Sequence, residues 1–220
     1  MTTWFVATGN RHKVGEIATG LGDGARVLSL ADTGARLEPE ETGSTFAANA
    51  RIKALTWAAF LATDLCDLGV DWVLADDSGL EVDALGGAPG MYSARFAALD
   101  DGRPGNSPDA ENNAKLLRLL VGIPAERRLA RFRCVLAAVP VLRGESPESM
   151  AAATRFFEGI CEGTIGTAPR GTSGFGYDPL FMPAGEARSF AELGPDFKDS
   201  RSHRAQALAR LREAWTAAAG

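Results

Sequence analysis

Asp76-Asp77-Ser78-Gly79 follows the apolar run Val73-Leu74-Ala75 and sets two carboxylates where a buried strand is expected to end. Open α/β sheets place ligands at such carboxyl ends. A carboxylate there can ligate a hard cation or take a proton from water. Adjacent side chains on a strand point to opposite faces, so the two aspartates are expected to have different jobs. One reaches a site, while the other pins the turn by accepting from backbone N–H groups. The plain alternative is an Asp-Ser-Gly turn with no chemistry.

Cations lie nearby in the pattern. Thr8-Gly9-Asn10-Arg11-His12-Lys13 leads from an apolar strand into a helix, and a glycine turn at a helix N-terminus offers backbone N–H groups to an anion. Lys13 adds a point charge one turn in. Such turns are also common without a ligand, and this one is neither a Walker A loop nor a dinucleotide fingerprint. At about 100° per residue, Phe46, Ala50, Lys53, Trp57 and Leu61 share one side of a helix. Lys53 interrupts that apolar stripe, and a buried ammonium requires a carboxylate or an anionic ligand, unless its stem snorkels to an edge. Glu38, Glu40 and Glu41 form an acidic loop, which is solvated surface unless it supplies metal ligands beside Asp77.

Two further groups can recognise a flat, polar ligand. In Ser173-Gly174-Phe175-Gly176-Tyr177-Asp178-Pro179, glycines on both sides of Phe175 let a planar group approach the ring, and Asp178 can accept hydrogen bonds. A turn with a core-anchoring Phe is the alternative. Lys198 with Ser202-His203-Arg204 is expected at the start of the terminal helix, where the dipole opposes cations and an anionic or carbonyl-bearing ligand would supply a reason. Absences narrow the chemistry. His12 and His203 are the only histidines, so no His-rich zinc site can form, and there is no G-x-S-x-G elbow or reactive-cysteine motif. A carboxylate–metal mechanism on a phosphate ester remains.

The elements that must position these groups are those of an α/β protein with a mixed sheet. Strands are expected at Trp4–Ala7, Val27–Leu30, Trp72–Ala75 with a hairpin partner Leu80–Leu85, Arg131–Val139, Phe156–Ile165 and Leu180–Met182. Helices are expected from about Val14 to Leu21, over Phe46–Ala62, from Ser107-Pro108 as cap and first residue to Leu120, and after Ser202. Arg143–Ala153 reads as a hairpin loop and Pro169–Pro179 as a long functional loop. With 220 residues, no internal repeat and no linker, the chain reads as a single domain spanning 1–220. A net charge of −5 argues against a nucleic-acid polymer as ligand. Cys66, Cys134 and Cys161 sit among apolar residues and read as inert buried thiols in a reducing compartment. No leader or membrane span is legible, so a cytoplasmic protein is expected.

The order of these pieces resembles the inosine triphosphate pyrophosphatase family, the non-canonical purine nucleoside triphosphate pyrophosphatases. The matching segments are ATGNRHKVGEI, EETGSTFAANARIKA, LADDSGLEVDALGGAPGMYSARF, GTSGFGYDPLF and FKDSRSHRAQAL, running from Phe5 to Leu208. The resemblance implies a central mixed β-sheet flanked by helices, two lobes with a substrate cleft between them, and a homodimer. It implies magnesium-dependent hydrolysis of nucleoside triphosphates such as those of inosine and xanthosine to monophosphate and pyrophosphate. Thr8, Gly9, Asn10, Arg11, His12, Lys13 and Lys53 would then hold the triphosphate. Asp77 would be proton acceptor and metal ligand, with Glu40 a second metal ligand, and Ser78 would contact substrate. Phe175, Gly176, Tyr177, Asp178, Lys198, His203 and Arg204 would surround base and sugar. One departure is Ala48, where relatives often carry Glu in the long helix. Two rival readings are a nucleotide-sensing module without turnover and a pyrophosphatase for modified pyrimidine or methylated nucleotides.

Overall fold

The computed structural model describes residues 1–219, with side chains described through residue 217. Six strands form one mixed sheet in the order β2-β1-β3-β4-β5-β6. They are β1 (Thr2–Val6), β2 (Ala25–Ser29), β3 (Trp72–Val82), β4 (Leu129–Pro140), β5 (Arg155–Ile165) and β6 (Phe181–Pro183). β1 pairs in parallel with β2 and β3, whereas β6 runs antiparallel to β5. The helices are α1 (Arg11–Leu21), α2 (Phe46–Thr63), α3 (Asp109–Leu119), α4 (Pro147–Ala152), α5 (Phe190–Leu193), α6 (Pro195–Arg201) and α7 (His203–Ala219). Among the described residues no helix is long and apolar enough to cross a membrane.

Two compact units divide the chain. The first contains Met1–Asp77, Cys134–Glu158 and the chain from Ala207 onward; the second contains Ser78–Arg133 and Gly159–Gln206. In the first unit the sheet is covered on both faces, which strand alternation makes necessary. Phe5, Ala7, Val73, Ala75, Ala137 and Val139 pack with Ala50, Ala54, Trp57 and Leu61 of α2 and Met150 of α4. Their sequence neighbours Trp4, Val6, Leu74, Leu136 and Ala138 pack with Ile17 of α1 and Ala207, Leu208 and Leu211 of α7. The second unit has its own core, in which Leu80, Val82, Phe132, Cys161 and Ile165 of the strands meet Leu116, Leu120, Phe181 and Phe190.

Several expectations need correction. The anticipated turn and hairpin at Asp76–Gly79 do not form, because β3 runs unbroken for 11 residues. Position 79 needs a glycine for space, since a Cβ there would overlap the Gly90 carbonyl and lie 2.6 Å from Ser93 Oγ. Within the expected loop 143–153, Ser146 caps α4 with Pro147 at its first position. Ser107 does not cap α3, which begins at Asp109; its hydroxyl instead accepts from the Ala98 N–H at 2.9 Å. Cys66 is exposed, while Cys134 and Cys161 are buried, and burial pushes the Cys161 thiol up to about 11. The last thiol is therefore inert at neutral pH.

Candidate active site

β3 alternation decides where the two aspartates go. Asp77 has the parity of Val73 and Ala75 and faces α2; Asp76 has the parity of Leu74 and faces α1. Each helix supplies a lysine to the carboxylate on its own face. Lys53 Nζ donates to Asp77 Oδ1 at 3.1 Å and to Glu41 Oε1 at 2.9 Å. Lys13 Nζ forms an ion pair with Asp76, whose side chain is fully buried. Asp76 Oδ2 also accepts from the Cys134 thiol at 3.0 Å. Asp76 thus orients Lys13 and pins no turn. Both pairings follow from the cost of burying an unpaired charge.

The Lys53 cluster is the electrostatic centre of this unit. Its side chain is 14% exposed, so the stem does not snorkel away and the ammonium stays within the cluster. Burial pushes the Asp77 carboxyl above the ordinary aspartate value of 3.8; Lys53 opposes this, and Glu41 adds to it as a like charge. Burial pulls Lys53 down, but Asp77 and Glu41 outweigh it and hold the ammonium above its ordinary value. The lysine therefore stays charged, and Asp77 becomes a better proton acceptor than an exposed aspartate.

Glu41, rather than Glu40, reaches Lys53, while Glu40 is exposed. The reason lies two residues on. The Gly43 N–H donates to Asn49 Oδ1 at 2.8 Å, and a Cβ on Gly43 would stand 2.7 Å from Ala48 Cβ and 3.0 Å from the Asn49 backbone nitrogen. The acidic loop is thereby laid on the first turn of α2. Glu41 fills the second carboxylate position beside Lys53 although residue 48 is alanine. The sequence signal for this was the Gly43–Asn49 pair, not the acidic run.

The Thr8–Lys13 turn is more self-contained than a bare helix end. Asn10 Oδ1 accepts from the His12 N–H at 2.9 Å and from the Lys13 N–H at 3.3 Å. The Asn10 N–H in turn donates to Thr8 Oγ1 at 3.2 Å. An anion arriving here competes with the Asn10 cap for those groups. Gly9, Arg11 and His12 are exposed, whereas Thr8, Asn10 and Lys13 are half-buried.

The second unit holds the aromatic group. Phe175 and Gly176 are half-buried, and Tyr177 and Asp178 are buried. Lys198 Nζ pairs with Asp178 Oδ2 at 2.7 Å and lies 4.5 Å from the centre of the Phe175 ring. The same Asp178 oxygen accepts the Phe175 N–H at 2.9 Å. Gly174 makes that approach possible, because its φ is +81° and a Cβ would overlap the carboxylate. The Tyr177 hydroxyl donates to the Ser93 carbonyl at 2.9 Å, and burial pushes its phenol upward. Tyr177 anchors the loop. Lys198 lies in the last turn of α6, where the dipole favours a cation, and not at the start of the terminal helix. His203 and Arg204 do open α7, and both are buried. His203 stacks on Phe132 at 4.8 Å, and Arg204 Nη2 donates to Ser78 Oγ at 3.0 Å.

Fold and side chains together define a mixed-sheet α/β protein that gathers lysine–carboxylate pairs on both faces of one strand. A sequence profile of the Ham1 family matches residues 4–214. A dITP/XTP pyrophosphatase of Nitratidesulfovibrio vulgaris is 47% identical over 216 residues, covering 98% of this chain and 96% of the relative. A HAM1 protein structure from Coxiella burnetii superimposes with a TM-score of 0.78 at 36% identity, covering 98% and 99% of the two chains. A nucleoside-triphosphatase / dITP/XTP pyrophosphatase structure from Mycobacterium abscessus gives 0.69 at 40% identity, covering 96% and 98%. The chain belongs to the Ham1 family.

Proposed function

We propose that the protein is a hydrolase of phosphoric anhydrides that converts non-canonical purine nucleoside triphosphates to monophosphate and pyrophosphate. Family membership and the dITP/XTP pyrophosphatase relatives support the activity. The observation that carries the mechanism is the Lys53 ammonium held between Asp77 and Glu41. Asp77 takes the proton of the attacking water. The oxygen of that water bonds to the α phosphorus, and the bridging oxygen departs with pyrophosphate. Lys13 and Lys53 oppose the charge that grows on the leaving group, and the Thr8–Lys13 turn offers N–H donors to the phosphates in competition with its Asn10 cap. In the second unit Phe175 stacks on the purine, while Lys198, Asp178, His203, Arg204 and Ser78 supply its polar surroundings.

The acidic side chains fit magnesium. Glu41 and Asp77 converge on one ammonium, and both offer hard oxygens. Among the described residues no group of three or more His, Cys, Asp or Glu gathers. One or two carboxylates completed by water and phosphate is the donor set that magnesium takes. Asp77 would hold it with Glu40 or Glu41, and the bound ion would neutralise phosphate charge. We also read the chain as a single functional domain that acts in the cytoplasm as a homodimer on a small nucleotide, with no nucleic-acid polymer as ligand.

Release of pyrophosphate with magnesium, from a panel of triphosphates, tests this reading. Inosine and xanthosine carry a C6 carbonyl where adenosine carries an amino group. Donors from Arg204 and His203 match the carbonyl and oppose the amino group. The expected kcat/KM for inosine triphosphate exceeds that for adenosine triphosphate by at least about a hundredfold, and Arg204→Ala narrows the gap. Equal values in the wild type would sink the specificity, and absence of pyrophosphate the activity.

A further inference from the structure

The loop that carries Phe175 is flexible by composition, because Gly174 and Gly176 flank the ring with φ of +81° and +61°. Lys198 of α6 lies against the ring, and α3 adds a separate hold on the backbone beside it. The Gly176 N–H donates to Asp109 Oδ2 at 2.6 Å, and the Gly176 carbonyl accepts from Asn113 Nδ2 at 2.9 Å. Asp109 and Asn113 are four residues apart and lie on the same helix face, one turn above the other. They grip the two polar groups of a single residue.

Asn113 also bears a cost. It is buried, and its Oδ1 has no hydrogen-bond partner. An apolar side chain of the same size would avoid that penalty, so packing alone does not account for the amide. We infer that Asp109 and Asn113 are positioning residues that clamp the Gly176 peptide and so set the Phe175 ring for the purine. This rests on the reading of 175–178 as the base-binding loop. The clamp acts on binding and on base choice, not on the proton transfer at Asp77.

Asn113→Leu, Asp109→Ala and Asp109→Asn test the clamp, with hydrogen exchange of the 173–178 backbone measured beside kinetics. Asn113→Leu is expected to keep or raise the melting temperature. It should raise KM for inosine triphosphate about tenfold with kcat changed less than about twofold, and lower the preference over adenosine triphosphate. Asp109→Ala should do the same and speed exchange at the Gly176 amide at least about tenfold, with Asp109→Asn recovering most of both because it retains an acceptor. Wild-type KM, base preference and exchange in Asn113→Leu and Asp109→Ala would overturn the proposal, as would a fall in melting temperature alone. If the wild-type protein releases no pyrophosphate from inosine triphosphate, the functional reading falls, and the exchange measurement still decides whether the clamp exists.

Discussion

Asp77 and Asp76 are identical side chains one residue apart, yet their surroundings give them different chemistry. Asp76 is sealed against Lys13 and the Cys134 thiol, and its carboxylate is fully used in orientation. Asp77 shares one ammonium with Glu41, so burial and a like charge lift its pKa against the pull of Lys53. The acid limb of kcat/KM is accordingly expected above the ordinary aspartate range, because the base must be deprotonated to work. Asp77→Asn should lower kcat by about a hundredfold to ten-thousandfold while the fold persists. The same shift fixes a sign for stability. Below 3.8, the ordinary value, both folded and unfolded wild type are protonated and gain or lose nothing. As pH rises through the folded pKa, wild type loses the stabilisation that goes with the raised value, whereas the Asn variant has no such loss. The melting temperature of Asp77→Asn relative to wild type should therefore rise across this window. A relative fall, or kcat near wild type, would remove Asp77 from its assigned role.

At the scale of elements, the long helix α2 and most of the strands were legible because their apolar runs have the lengths of a helix and of buried strands. The run over Phe46–Ala62 has an apolar side interrupted by Lys53, with Arg51 exposed outside it, and it forms α2 with Lys53 paired as expected. The hairpin at Asp76–Gly79 was misread because Asp, Ser and Gly are turn formers by local chemistry. Here the helices on the two faces supply partners for the polar side chains, and that tertiary compensation keeps the strand extended. α4 was missed because its 6 residues are too few for a period to show. Glu40 and Glu41 cannot be told apart by type; only the Gly43–Asn49 contact tells which one turns inward. Gly43→Ala tests that element directly. Its Cβ would stand 2.6 Å from Asn49 Oδ1, 2.7 Å from Ala48 Cβ and 3.0 Å from the Asn49 backbone nitrogen, and the last two cannot swing aside, so strain of roughly 1–3 kcal/mol is expected. Each kcal/mol lowers the melting temperature of a chain this size by about 2–4 °C. Activity should fall with it as Glu41 leaves Lys53. A thermal melt and turnover both unchanged would show that the loop is not held there.

At the scale of the molecule, three strands have a double allegiance. β3, β4 and β5 each begin in one unit and end in the other, and each unit buries its own apolar core around its share of them. A strand cannot fray along half its length without exposing backbone groups that the other half needs in register. Unfolding in denaturant is therefore expected as one transition, with probes of either unit giving the same midpoint. Separate midpoints would show that the units melt independently. The aromatic residues make this measurable without any label. All four tryptophans, Trp4, Trp57, Trp72 and Trp215, fall in the first unit, and both tyrosines, Tyr92 and Tyr177, fall in the second. Trp57 stands one helical turn beyond Lys53, and Tyr177 is part of the loop that carries Phe175. Indole emission thus watches the unit of the Lys53 cluster, and phenol absorbance watches the unit of the Phe175 loop. The chain is its own two-channel spectrometer, in which a pyrophosphate titration and a nucleoside titration would be seen at different wavelengths.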